Sequence, residues 1–125
     1  MDHKINSCLD QAADHLQKAH DHLYKPEEDV VPYSICKNAH GAIINLLSAF
    51  LMRNGRELPE AKTVESMLPL CRSIDARFEE LHLAPFFHPT DTEDIWMNLD
   101  TANDFLKMAV KTQSLVLSSS QKQAI

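Results

Sequence analysis

The chain has 125 residues, 44% of them hydrophobic and 24% charged, a balance that excludes a wholly disordered protein and a collagen. Two glycines and six prolines are too few turn formers for an all-β fold. Eighteen acids against twelve bases give a net charge of −6, the reverse of a general nucleic-acid coat, although a local basic cleft stays open.

A chain of this length can bury roughly two-thirds of its unfolded surface, enough for a core without staples. The three cysteines, Cys8, Cys36 and Cys71, are odd in number and form no CxxC pair. They read as small core residues in a reducing compartment, so the expected location is cytoplasmic. The N-terminal Met-Asp-His-Lys-Ile has no apolar signal character. The longest apolar-rich stretch, Ala39 to Met52, is interrupted by His40, Gly41, Asn45 and Ser48. No membrane span is expected from it.

The first segment spaces Ile5, Cys8, Leu9, Ala12, Ala13, Leu16, Ala19 and Leu23 at steps of three and four. That is a helical period, closed by Pro26. The second starts at Pro32 and stops at Asn54-Gly55, a strong C-terminal signal. Its apolar residues nearly surround it, which predicts a central helix with one face open to a subunit interface. Arg56 to Lys62 reads as a polar loop. The third helix is predicted from Thr63 to about His82, capped by Thr63, with Pro69 kinking or restarting it. Leu83 to Pro89 reads as an apolar loop over the bundle. The fourth helix opens on the capping box Thr90-Asp91-Thr92-Glu93. Its predicted buried stripe is Ile95, Leu99, Ala102, Leu106, Ala109, Val110 and Leu117. The reading is one bundle domain over residues 1–118 and a flexible tail over 119–125.

Helices of these lengths in this order, from Ile5 to about Leu117, resemble the HEPN domain family. The resemblance rests on Asn45-Leu46-Leu47-Ser48-Ala49-Phe50-Leu51 before Asn54-Gly55. It rests also on the weaker third helix, the aromatic-proline loop, and Asp100-Thr101-Ala102-Asn103-Asp104-Phe105-Leu106. It implies an all-α, antiparallel bundle of four to five helices, commonly a homodimer. Many members of the family pair with minimal nucleotidyltransferases as the toxin or binding half of a toxin–antitoxin system. A catalytic subset are metal-independent ribonucleases with an arginine, a polar residue after it, and a histidine a few positions on.

Arg77-Phe78-Glu79-Glu80-Leu81-His82 has that spacing. His82 would move the proton of a 2′-hydroxyl, and Arg77 would stabilise charge on the phosphate. Phe78 stands where the family has a polar residue, however, and Glu79 and Glu80 oppose a phosphate. On a straight helix, Arg77 and His82 also point to different faces. Seven histidines raise a metal reading in which His15 and His22 share a face of the first helix. A carboxylate-bridged bundle needs paired Glu-x-x-His motifs, and Glu79-x-x-His82 stands alone. His40 beside Gly41 suggests a core histidine at a tight helix crossing, or one lining a cleft. Arg53 and Arg56, with Lys62, suggest a small anion patch, and Trp96 either core packing beside Phe86 and Phe87 or an aromatic interface.

The leading expectation is a HEPN-like, non-enzymatic interaction module with no cofactor. It would form a homodimer through its apolar second and fourth helices and bind a nucleotidyltransferase partner or a nucleotide or RNA ligand. The alternatives are a ribonuclease acting through Arg77 and His82, and a bundle with a histidine metal site.

Overall fold

The computed structural model describes residues 2–23, 32–81 and 99–123, and these residues contain helices and connecting turns but no strand. The elements are α1 (Asp2–Leu23), α2 (Pro32–Arg53), α3 (Val64–Ile74), a 3₁₀ turn (Ala76–Glu80) and α4 (Leu99–Gln123). The fold class is therefore an all-α helical bundle. The predicted stop at Pro26, the loop Leu83–Pro89 and the capping box Thr90–Glu93 lie outside the described residues.

The centre of the bundle is α2, which packs against α1, α3 and α4. Ile35, Ile43, Leu46, Leu47, Phe50 and Leu51 are all buried. By length and composition alone α2 would also suffice to cross a membrane. Here its neighbours cover it, and its one exposed large hydrophobic residue is Tyr33. Three polar side chains of α2, and that of Asn54 just after it, are satisfied by the helix's own backbone. Asn38, Asn45, Ser48 and Asn54 donate to the carbonyls of Ser34, Gly41, Ile44 and Phe50, one turn back. Each such bond satisfies a donor that burial would otherwise leave costly.

The C-terminus of α2 is a Schellman cap. Arg56 N–H donates to the Leu51 carbonyl at 2.9 Å and Gly55 N–H to that of Met52 at 3.0 Å. Gly55 takes φ +73°, the left-handed region where a side chain is disfavoured. The stop predicted at Asn54-Gly55 is thus realised in detail.

The small residues Ala12 and Ala19 of α1 and Ala39 and Ala42 of α2 are fully buried, which lets the two helices approach closely. The two run antiparallel. His15 bonds Asn38, whereas Lys4, Ser7 and Cys8, earlier in α1, share a cavity with Asn45, Ser48 and Met52, later in α2.

The third segment departs from its predicted form. Pro69 neither ends nor restarts α3, which continues through it from Val64 to Ile74. Pro69 removes only the bond to the Glu65 carbonyl, and both residues are exposed on one face near the helix start. The helix does not reach His82. Asp75 is extended and caps the 3₁₀ turn by accepting from Arg77 N–H. Phe78 and Leu81 keep the apolar spacing and are buried, but from this turn. Arg72 holds the segment down, donating from Nη2 to the Leu81 carbonyl at 2.8 Å and from Nε to that of Phe78 at 3.4 Å.

Thr63 caps α3 as the sequence predicts. Its hydroxyl accepts from Ser66 N–H at 3.0 Å, and Ser66 Oγ accepts from Thr63 N–H at 3.2 Å. Thr63→Ala is expected to cost about 1 kcal/mol, read as a lower urea midpoint at unchanged slope.

In α4 the buried face is Ala102, Phe105, Leu106, Ala109, Thr112 and Val116. Val110 and Leu117, predicted in the buried stripe, are instead 39% and 43% exposed. The chain is helical past Ser118 to Gln123, beyond the point where its polar composition predicts fraying.

Candidate functional site

Arg77 is held by Asp75. Its Nη2 donates to Asp75 Oδ2 at 2.8 Å, and its Nε lies 3.2 and 3.3 Å from the two carboxylate oxygens. This hydrogen bonding, with the negative charge of Asp75 and Glu80, raises the pKa of Arg77. Asp75 thus takes the Nε–Nη2 edge of the guanidinium and offsets its charge, which weakens its attraction for a phosphate. His82 lies outside the described residues, as does Trp96. The residues shown thus place Arg77 in a local cap and ion pair.

His40 is half-buried on α2, and burial lowers its pKa below the ordinary 6.5. The unfolded chain therefore takes up this proton more readily, so stability falls as the pH drops through 6.5. The close approach at Gly41 is made by another histidine. A Cβ built on Gly41 would lie 3.1 Å from His15 Nε2 and 3.2 Å from Cδ2 and Cε1. The His15 ring, not a second backbone, occupies the space that glycine leaves.

Hydrogen bonding fixes the tautomer of that ring. Asn38 Nδ2 donates to the Ser34 carbonyl at 2.9 Å, which turns Asn38 Oδ1 towards His15 Nδ1, also at 2.9 Å. An amide oxygen only accepts, so Nδ1 carries the proton. His15 is thereby a structural contact. His22 is half-buried, and its Nδ1 has no hydrogen-bond partner. No three His, Cys, Asp or Glu residues come together as a metal-binding group among the described residues. His15 and His22 are not joined to a third ligand there.

The three thiols have no nucleophilic activation. Burial pushes Cys36 up to about 11 and Cys71 up to about 12. It raises Cys8 as well, with Lys62 pulling the other way. All three stay protonated at neutral pH.

Among the described residues, a cavity of about 410 Å³ lies along α1 alone, lined by His3, Asp10 and Asp14 among others, and two more lie between packed elements. One, of about 370 Å³, lies between α1 and α4, with Leu23, Leu106 and Val110 among its apolar residues and Lys107 and Lys111 on its polar side. The other, of about 320 Å³, lies between α1, α2 and the 56–62 loop. Lys62, predicted in a patch with Arg53 and Arg56, instead lines this second cavity with Lys4. Arg53 is half-buried with an unpartnered Nη1, and Arg56 is exposed. Sequence reasoning missed Lys4, Ser7 and Cys8. Their helical spacing was the available signal, but it meant little without the antiparallel partner helix. Compared with known proteins, the chain matches no family model, no curated protein and no solved structure.

Proposed function

We propose that this chain is a HEPN-like, non-enzymatic interaction module that associates through α4. The observation that carries the reading is the pair of large apolar residues that α4 leaves uncovered. Val110 borders the groove with Leu23 and Leu106, and Leu117 continues the same helical face two turns on. Val110 and Leu117 are large apolar side chains left open to solvent on a helix whose opposite face is core. They stand about 10 Å apart along the helix, with Gln113 and Ser114 between them, and would be two apolar anchors of one interface. The long helix α2, already enclosed by its own chain, has little apolar surface to offer. The first occupant is a second copy of this chain, in the homodimer that the HEPN resemblance implies. A nucleotidyltransferase partner would use the same face. The Arg77–Asp75 pair favours this reading over a ribonuclease, because a carboxylate already takes one edge of the candidate phosphate ligand and offsets its charge.

The test is the oligomeric state by sedimentation velocity. The native chain is expected to dimerise, and Val110→Glu/Leu117→Glu to weaken the dimer at least about 30-fold, a hot-spot effect. Its circular dichroism should match that of the native protein, since both positions are exposed within one chain. A native monomer, or a dimer indifferent to both substitutions, overturns the reading.

A further inference from the structure

We propose that the cavity between α1, α2 and the 56–62 loop binds a small amphipathic anion: one acidic head, carboxylate or phosphate, on an unbranched aliphatic chain. The cavity is independent of the α4 surface. Its charge distribution is the first argument. Lys4 and Lys62 line it and no acid does, in a chain with eighteen acids and a net charge of −6. Both lysines are exposed, so they stand at the mouth. Neither is in an ion pair among the described residues. Two ammonium groups sharing a cavity mouth repel each other, and one anion between them removes that repulsion.

The neutral polar groups sharpen the picture. Asn45 has committed an amide proton to the Gly41 carbonyl, and Ser48 its hydroxyl proton to that of Ile44. The Ser7 hydroxyl accepts from Gln11 Nε2 at 3.3 Å, which leaves its own proton to donate. The head group is therefore met by Lys4, Lys62 and Ser7, and Asn45 keeps a second amide proton to donate.

Below the mouth the wall is Cys8, Ile44, Met52 and Leu58, all half-buried. Leu58 is the large apolar residue of an otherwise polar loop, and it packs against the core. This wall is aliphatic and sulfur-containing. No aromatic ring is among the lining residues, so a nucleobase would find no stacking surface. A volume of about 320 Å³ matches roughly ten water molecules, the size of a medium-chain acid rather than a long-chain lipid. Cys8 supplies a reporter, because it is the one cysteine not fully buried.

The experiment titrates the full chain with octanoate and octyl phosphate by calorimetry, with octyltrimethylammonium as the control. In parallel, it follows alkylation of Cys8 by iodoacetamide. Both anions are expected to bind saturably, the cation not, and bound anion to slow Cys8 alkylation several-fold. Lys4→Gln/Lys62→Gln should weaken binding at least about tenfold, as loss of charge-assisted hydrogen bonds requires. Both lysines are exposed, so this variant should keep the native circular dichroism. Ser7→Ala should weaken binding less. Absent binding, equal binding of the cation, or affinity unchanged in the folded double variant overturns the proposal. Anion binding without Cys8 protection overturns its placement in this cavity. Dimerisation is read separately, so failure of either proposal leaves the other testable.

Discussion

Phe78→Ala is expected to lower the unfolding free energy by about 3–5 kcal/mol, and the melting temperature by roughly 10–20 °C for a chain of this size. The 3₁₀ turn that carries Phe78 spans five residues, too few to be stable alone. It stays folded because Phe78 is fully buried, its ring centroid 4.5 Å from that of Phe50 at a 46° tilt. Such an aromatic pair adds to plain area burial. Removing the ring leaves a void against α2, and the lining loses its contacts unless the turn collapses inward. Collapse is opposed by Arg72, which pins the carbonyls of Phe78 and Leu81. Phe78→Leu keeps most of the volume and should cost well under half as much. Urea denaturation of the two variants checks the comparison. A loss below about 1.5 kcal/mol for Phe78→Ala, less than the usual range for a buried aromatic, would show that the turn does not depend on this ring.

The same segment shows where the sequence stops being legible. The spacing of Leu70, Cys71, Ile74, Phe78 and Leu81 is helical, and Phe78 and Leu81 are buried as that spacing demands. Yet the backbone leaves the α-helix at Asp75. The clue was Asp75 itself, whose short carboxylate competes for the Arg77 N–H and favours a cap over a helix interior. Periodicity reports which side chains face the core, and a 3₁₀ turn preserves that facing. Pro69 misled in the other direction. Its helical bond is lost where the carbonyl one turn back is exposed, and sequence alone does not show which carbonyls water can reach. In α4 the apolar stripe was too broad by Val110 and Leu117, because a stripe cannot reveal how many helices cover it.

The α1 and α2 helices and the Gly55 stop were readable, since capping and periodicity are local, although Ala13 of the apolar α1 set is exposed. The candidate sites were not. Arg77 looked available until its near neighbour Asp75 folded onto it. Lys4 and Lys62, far apart in the chain, became neighbours only through the antiparallel packing of α1 on α2 and the return of the 56–62 loop.

Gly41 yields the second large effect, expected to change sign with its neighbour. In a helix interior, Gly→Ala ordinarily stabilises by about 1 kcal/mol. Here the new methyl carbon would sit 3.1–3.2 Å from three atoms of the His15 ring, closer than carbon contacts allow without a shift. The ring cannot swing away freely, because Asn38 accepts its Nδ1 proton and is itself anchored to the Ser34 carbonyl. Overpacking of this kind costs about 2 kcal/mol, so Gly41→Ala should destabilise the native chain by about 1 kcal/mol after its helix-propensity gain. In a His15→Ala background the obstacle is gone, and the same substitution should stabilise by about 1 kcal/mol. The double-mutant cycle then returns a coupling of about 2 kcal/mol, within the range for residues in direct contact. Chemical denaturation of the four proteins measures it, and long-range nitrogen–proton NMR on His15 checks that Nδ1 carries the proton. If Gly41→Ala stabilises both backgrounds equally, the ring yields at no cost and the Asn38 anchor does not hold it. A sign change would mean that Gly41 accommodates the imidazole lodged against it, and that a histidine read from sequence as half of a metal pair serves to lock α1 onto α2.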